Sequence, residues 1–85
     1  SGDFASALKV AERMEQLAPK LPETYLNLAT VYDVTKQREK ALESLDRGLT
    51  KVTQRLPLLA AKLVLTIKAG PKENAAAREL FAQLQ

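Results

Sequence analysis

Apolar residues recur along the chain at intervals of three and four, the spacing of one helical face. Phe4, Ala7, Leu8, Ala11, Met14 and Leu17 form a first stripe, with Lys9, Glu12, Arg13 and Gln16 facing away. Asp3 is placed to cap the start of that helix. A turn over residues 18–21 leads to Pro22, which suits a first helical position because its missing N–H has no intrahelical partner there. Tyr25, Leu28, Ala29 and Tyr32 then predict a helix over residues 23–34. After a polar break at 35–38, Ala41, Leu42, Leu45, Leu49 and Val52 predict its partner over 39–52, with a Glu43–Arg47 pair at i, i+4 on its surface.

The pattern also repeats. Ala7 and Ala41, Leu8 and Leu42, and Met14 and Gly48 are each 34 residues apart, a period that marks stacked helical repeats. In the last third the same offset would bring Lys62 to the buried position of Leu28. An offset of 35 instead brings Ala60, Leu63, Val64 and Ile67 to the core positions, Ala76 opposite Ala41 and Leu80 opposite Leu45. The sequence is therefore read with one extra residue in the turn. Two further helices follow, over about 57–69 and 71–84, meeting at Gly70–Pro71. The last is expected to pack through Ala76, Ala77, Leu80, Phe81 and Leu84 and to show Asn74, Arg78, Glu79 and Gln83 to solvent.

These residues resemble the tetratricopeptide repeat pattern: an aromatic, then leucine, a small residue and tyrosine on one helix, and small, large and small positions on the next. Tyr25, Leu28, Ala29 and Tyr32 match the first half, and Ala41, Leu45 and Gly48 the second. Two positions depart from the family: Lys36 stands where glycine is usual between the helices, and Thr53 where proline is usual after them. The resemblance implies an all-α fold, a right-handed α-solenoid of antiparallel helix pairs with about five helices. Residues 3–18 would be the second helix of one repeat, 22–55 a full repeat and 56–85 a degenerate one. The 85 residues would then be one domain, an excerpt of a longer repeat protein.

Composition narrows the function. Apolar residues make up 46% and charged residues 27%, ordinary values for a folded domain. The chain has neither cysteine nor histidine, which removes the commonest metal ligands, nucleophile and general base. Its carboxylates are scattered over solvent-facing helical positions and no phosphate-binding loop is present, so no enzyme activity, catalytic residue, cofactor or metal is expected. The net charge of +3 comes without a dense basic patch or interleaved aromatics, so nucleic acid is not an expected partner. The most apolar run, residues 56–67, holds Lys62 and is far shorter than the ~20 residues a membrane helix needs, so direct membrane insertion is not expected. The sequence gives no cellular location.

The resemblance implies protein–protein interaction, as an adaptor or scaffold within a larger assembly. In such stacks the first helix of each pair lines a concave face, a common binding surface. The expected groove comprises Glu23, Leu26, Asn27, Thr30 and Asp33 on one helix and Leu58, Lys62, Leu65 and Lys68 on the next, suited to a peptide with an acidic group and apolar side chains. Asn27 is similar to the asparagine with which chaperone-binding members hold a C-terminal carboxylate, and Lys62 falls at a basic position of that clamp. Leu58, however, stands where a second clamp lysine belongs. The same lysines also serve to solvate an apolar helix. Two other readings stay open: spacer repeats within a longer superhelix, and a homo-oligomer formed through the uncovered face of the first helix. Under the groove reading Asn27→Ala and Lys62→Glu abolish binding, and under the oligomer reading Val10→Glu disrupts association.

Overall fold

The computed structural model describes residues 3–68 and 74–84, and within 74–77 only the backbone. Five helices are present among them: α1 (Phe4–Leu17), α2 (Pro22–Val34), α3 (Arg38–Leu49), α4 (Leu56–Lys68) and α5 (Asn74–Leu84). Each packs on its neighbour in sequence, and α2 also touches α4. The Cα atoms fill a slab 15 Å thick. Two helix layers account for that: axes ~8–10 Å apart plus a Cα radius of ~2.3 Å on each side. With α2 packed against α4 in one layer and no such packing between α1 and α3 in the other, the α2–α4 layer is the inner, closer-packed one.

Local chemistry sets the boundaries. Asp3 caps α1, its carboxylate accepting from the Ser6 backbone N–H at 3.2 Å and the Ser6 hydroxyl at 2.8 Å. The α1–α2 turn is latched from α2, where the Thr24 hydroxyl donates to the Ala18 carbonyl at 2.8 Å and the Tyr25 phenol to the Pro19 carbonyl at 2.6 Å. At the end of α2, Gln37 N–H reaches the Tyr32 carbonyl and Lys36 N–H the Asp33 carbonyl, the paired bonds of a Schellman ending. That ending puts Lys36 in the left-handed region, at φ 64°. The glycine usual there would reach this conformation without strain. Helix α3 ends at Leu49 rather than at Val52, yet the Val52 N–H still bonds the Gly48 carbonyl and its side chain remains in the core.

The core is built from Ala11, Tyr25, Leu28, Ala29, Ala41, Leu45, Val52, Leu58 and Leu65. On α1 only Ala11 is buried, while Phe4, Ala7, Val10 and Leu17 are exposed. On α5 Leu80 is buried and Leu84 half-buried, but Phe81 faces solvent against expectation. The Gly70–Pro71 turn and the packing of Ala76 and Ala77 lie outside the described residues.

The register of α4 corrects the sequence reading. Helices α2 and α4 have the same length of 13 residues, and their first residues, Pro22 and Leu56, are one 34-residue repeat apart. Thr24 and Tyr25 are buried, and so are their equivalents Leu58 and Leu59. Val64 and Ile67, expected in the core, are 56% and 55% exposed. Two cues point the wrong way. The Leu-Pro pairs at 21–22 and 56–57 are 35 residues apart, but proline is tolerated throughout the first turn of a helix, so they do not fix the phase. Lys62 does occupy the position of Leu28. Its stem lies in the half-buried site while its Nζ reaches Asp46 Oδ1 on α3 at 2.6 Å, so the charge remains solvated and paired.

Candidate functional site

The inner face is built by α2 and α4. Between them lies a concavity of about 220 Å³ lined by Leu26, Ala29, Thr30 and Asp33 from α2 and by Ala61, Val64, Leu65 and Lys68 from α4. The structure thus brings together five of the expected groove residues: Leu26, Thr30, Asp33, Leu65 and Lys68. Leu65 contributes only its edge, being 6% exposed.

The other four go elsewhere. Glu23 is exposed at the start of α2, away from the described concavities. Asn27 lines a second cleft, between α1 and α2, where its Nδ2 lies 3.7 Å from Met14 Sδ. Leu58 is fully buried beside Gly48, so it is a core residue and offers a partner no surface. Lys62 turns away from the face toward Asp46 on α3. Asn27 and Lys62 therefore do not converge, and the carboxylate-clamp arrangement has no counterpart here.

The polar groups that remain in the groove are already paired. Lys68 Nζ donates to Asp33 Oδ2 at 2.7 Å, and the Arg38 guanidinium lies 3.9 Å from Asp33 Oδ1 while its Nη1 donates to the Lys68 carbonyl at 3.2 Å. This knot ties the C-terminal ends of α2 and α4 to the start of α3, and Arg38 meets the negative end of the α4 dipole. The cluster sets two cations against one carboxylate, and Arg38 Nε is buried without a hydrogen-bond partner among the described residues. Outside the face, Arg47 forks onto Glu15 of α1 at 2.6 and 2.9 Å and not onto Glu43, as the i, i+4 spacing had suggested. The guanidinium holds the Glu15 carboxyl below its ordinary range, and the carboxylate in turn raises the Arg47 pKa. Burial pushes the Tyr25 phenol upward.

What the sequence reading missed is the apolar strip on α4. Moved by one 34-residue repeat, the inward stripe Leu26, Asn27, Thr30 and Asp33 becomes Ala60, Ala61, Val64 and Ile67. All four are apolar, and all but the half-buried Ala61 are exposed. The 34-residue spacing that already relates α1 to α3 was the signal that would have found them. Among the described residues no group of His, Cys, Asp and Glu is placed to hold a metal ion, and no described helix is long and apolar enough to cross a membrane.

Comparison with curated proteins and with solved structures returns no match. The sequence does match the family described as Tetratricopeptide repeat over residues 1–64, which takes in α1 to α3 and most of α4. With α1 and α3, and α2 and α4, each related by that family's 34-residue period, the chain belongs to the tetratricopeptide repeat family.

Proposed function

We propose that the chain is an adaptor or scaffold module whose α2–α4 face receives an apolar segment of a partner protein. Tetratricopeptide repeats generally mediate protein–protein interactions. The observation that carries the finer reading is the strip on α4: Val64 and Ile67, large and apolar, are more than half exposed, and Val64 lines the concavity together with Leu26 and Thr30. Exposed apolar groups on a preformed concave surface favour association through burial of that surface. With Lys68 and Asp33 satisfied by each other, selectivity comes from shape and from the ionic end of the groove rather than from a clamp on a terminal carboxylate.

The test is a capture experiment with a photocrosslinking residue at position 61, comparing the unaltered chain with its Val64→Glu/Ile67→Glu variant after circular dichroism shows both folded. A crosslinked protein segment obtained with the unaltered face and lost with the variant supports the reading. The same crosslinks from both, or none from either, overturn it.

A further inference from the structure

Charge is unbalanced at the C-terminal end of the α2–α4 face. A concavity of about 540 Å³ opens there, lined by Asp33, Val34, Lys36, Arg38 and Lys68. It shares Asp33 and Lys68 with the apolar concavity, so the two adjoin. Three cations thus surround one carboxylate. Asp33 Oδ2 accepts from Lys68 Nζ at 2.7 Å, but Oδ1 is 3.9 Å from Arg38 Nε, beyond hydrogen-bond reach. Arg38 donates through Nη1 to the Lys68 carbonyl, while its buried Nε has no partner among the described residues. Arg47 shows what full pairing looks like in this chain, with Nε and Nη2 on Glu15 at 2.6 and 2.9 Å. The helix ends do not cancel the excess. Each of α2 and α4 ends with about half a negative charge, and α3 starts with about half a positive one. Glu39, exposed at the start of α3, does not line the concavity.

Lys36 adds a second, independent observation. Its backbone lies in the left-handed region, which the Schellman ending requires and glycine reaches without strain. That ending makes no use of a side chain, and among the described residues Lys36 is in no ion pair. An ammonium carried at that cost on the wall of a cationic concavity points to binding rather than to folding. We propose that this concavity receives an acidic side chain, aspartate or glutamate, of the partner segment whose apolar residues lie on the α2–α4 face. The inference rests on that reading and extends it. A carboxylate there supplies the counter-charge that Lys36, Arg38 and Lys68 lack. Leu26 to Asp33 on α2, and Ala61 to Lys68 on α4, both rise by about 10 Å. An extended segment spans that in about three residues. The recognised pattern is therefore an apolar residue with an acid about three positions away.

The probe is a random peptide library, fused at its C-terminus so that no terminal carboxylate is offered, selected on the immobilised whole chain. Enriched peptides are expected to carry the acid at that spacing. The strongest is then labelled and titrated by anisotropy. Exchange of its acid for the amide should weaken binding by about tenfold. Lys36→Gly in the chain should weaken it by about three- to fivefold without loss of stability, which separates a lost contact from a damaged fold. Lys51→Gln, at an exposed cation beyond α3, should leave it unchanged. Enriched apolar peptides without an acid overturn the proposal and leave the α2–α4 reading standing. Acidic peptides sensitive to Lys36→Gly but not to Val64→Ser/Ile67→Ser support the cationic site while that reading falls. No enriched peptide, indifference to Lys36→Gly, or an equal loss with Lys51→Gln overturns the proposal. Glu73 is the first acid after α4 in the sequence. Binding that rises about tenfold with Glu73→Gln also overturns it, by assigning the concavity to the chain's own carboxylate.

Discussion

Gly48 on α3 lies flat against the ring of Tyr25 on α2, so close that a Cβ on the glycine would stand 2.6 Å from Tyr25 Cδ2 and 2.8 Å from Leu58 Cδ1. The absent side chain is what lets three helices meet at one point. Alanine is the better helix former by about 1 kcal/mol. Overpacking a filled core costs about 1–3 kcal/mol, and the ring cannot retreat because its hydroxyl is bonded to the Pro19 carbonyl. Gly48→Ala is therefore expected to lower stability by up to about 2 kcal/mol, read by urea denaturation.

The opposite exchange is favourable at Lys36. Its φ of 64° is a conformation that costs an L side chain about 1 kcal/mol or more. Lys36→Gly removes that strain and gives back part of it as greater freedom of the unfolded chain. A net gain of about 0.5–1 kcal/mol is expected in the same denaturation experiment, whereas Lys36→Ala should change little.

Glu15 and Arg47 tie α1 to α3. Because the folded-state pKa of Glu15 is depressed, its contribution is fully present above the unfolded carboxyl value of 4.5 and is lost as pH falls through the folded value. Both side chains keep some solvent contact, so the pair is worth no more than about 1 kcal/mol and is weakened by salt. Glu15→Gln should lower stability at pH 7 by that amount. The variant and the unaltered chain should converge as pH falls through the lowered Glu15 value, followed by thermal melts across the range.

Lys62 tests the register of α4. As it fills the position of Leu28 and uses only its tip for Asp46, Lys62→Leu should be neutral or stabilising by up to about 1 kcal/mol. Lys62→Glu sets two carboxylates together over a half-buried site and should destabilise the fold. A result in which Lys62→Glu leaves the melting curve intact but removes partner binding would return Lys62 to the groove.

Much of the fold was legible because α1 and α3 have clear apolar faces and because Tyr25, Leu28, Ala29 and Tyr32 place α2 by their residue types. Their polar sides, such as Lys9, Glu12 and Arg13, leave one phase for the stripe. Helix α4 lacks that contrast: with Lys62 as the one charge between Leu56 and Ile67, several faces look equally suited to the core. A lysine in a core position appeared decisive against the 34-residue offset, yet a long side chain with an acid on the neighbouring helix satisfies both environments. The candidate site inherited the error, since one residue of shift turns a helix by about 100°. That rotation moved Val64 and Ile67 from the face to the core and Leu58 from the core to the face.

The sequence by itself determined the helix count, the repeat period and the small-residue contacts at Ala29, Ala41 and Gly48, because these follow from local spacing and side-chain volume. Only the tertiary structure decided the rest. It paired Arg47 with Glu15 rather than Glu43, and tied Lys68 and Arg38 to Asp33. It also left Val64 and Ile67 of α4 exposed. Ion pairs between long side chains depend on which helices come within reach, and whether an apolar face is covered depends on what packs against it. Neither is written in the face itself.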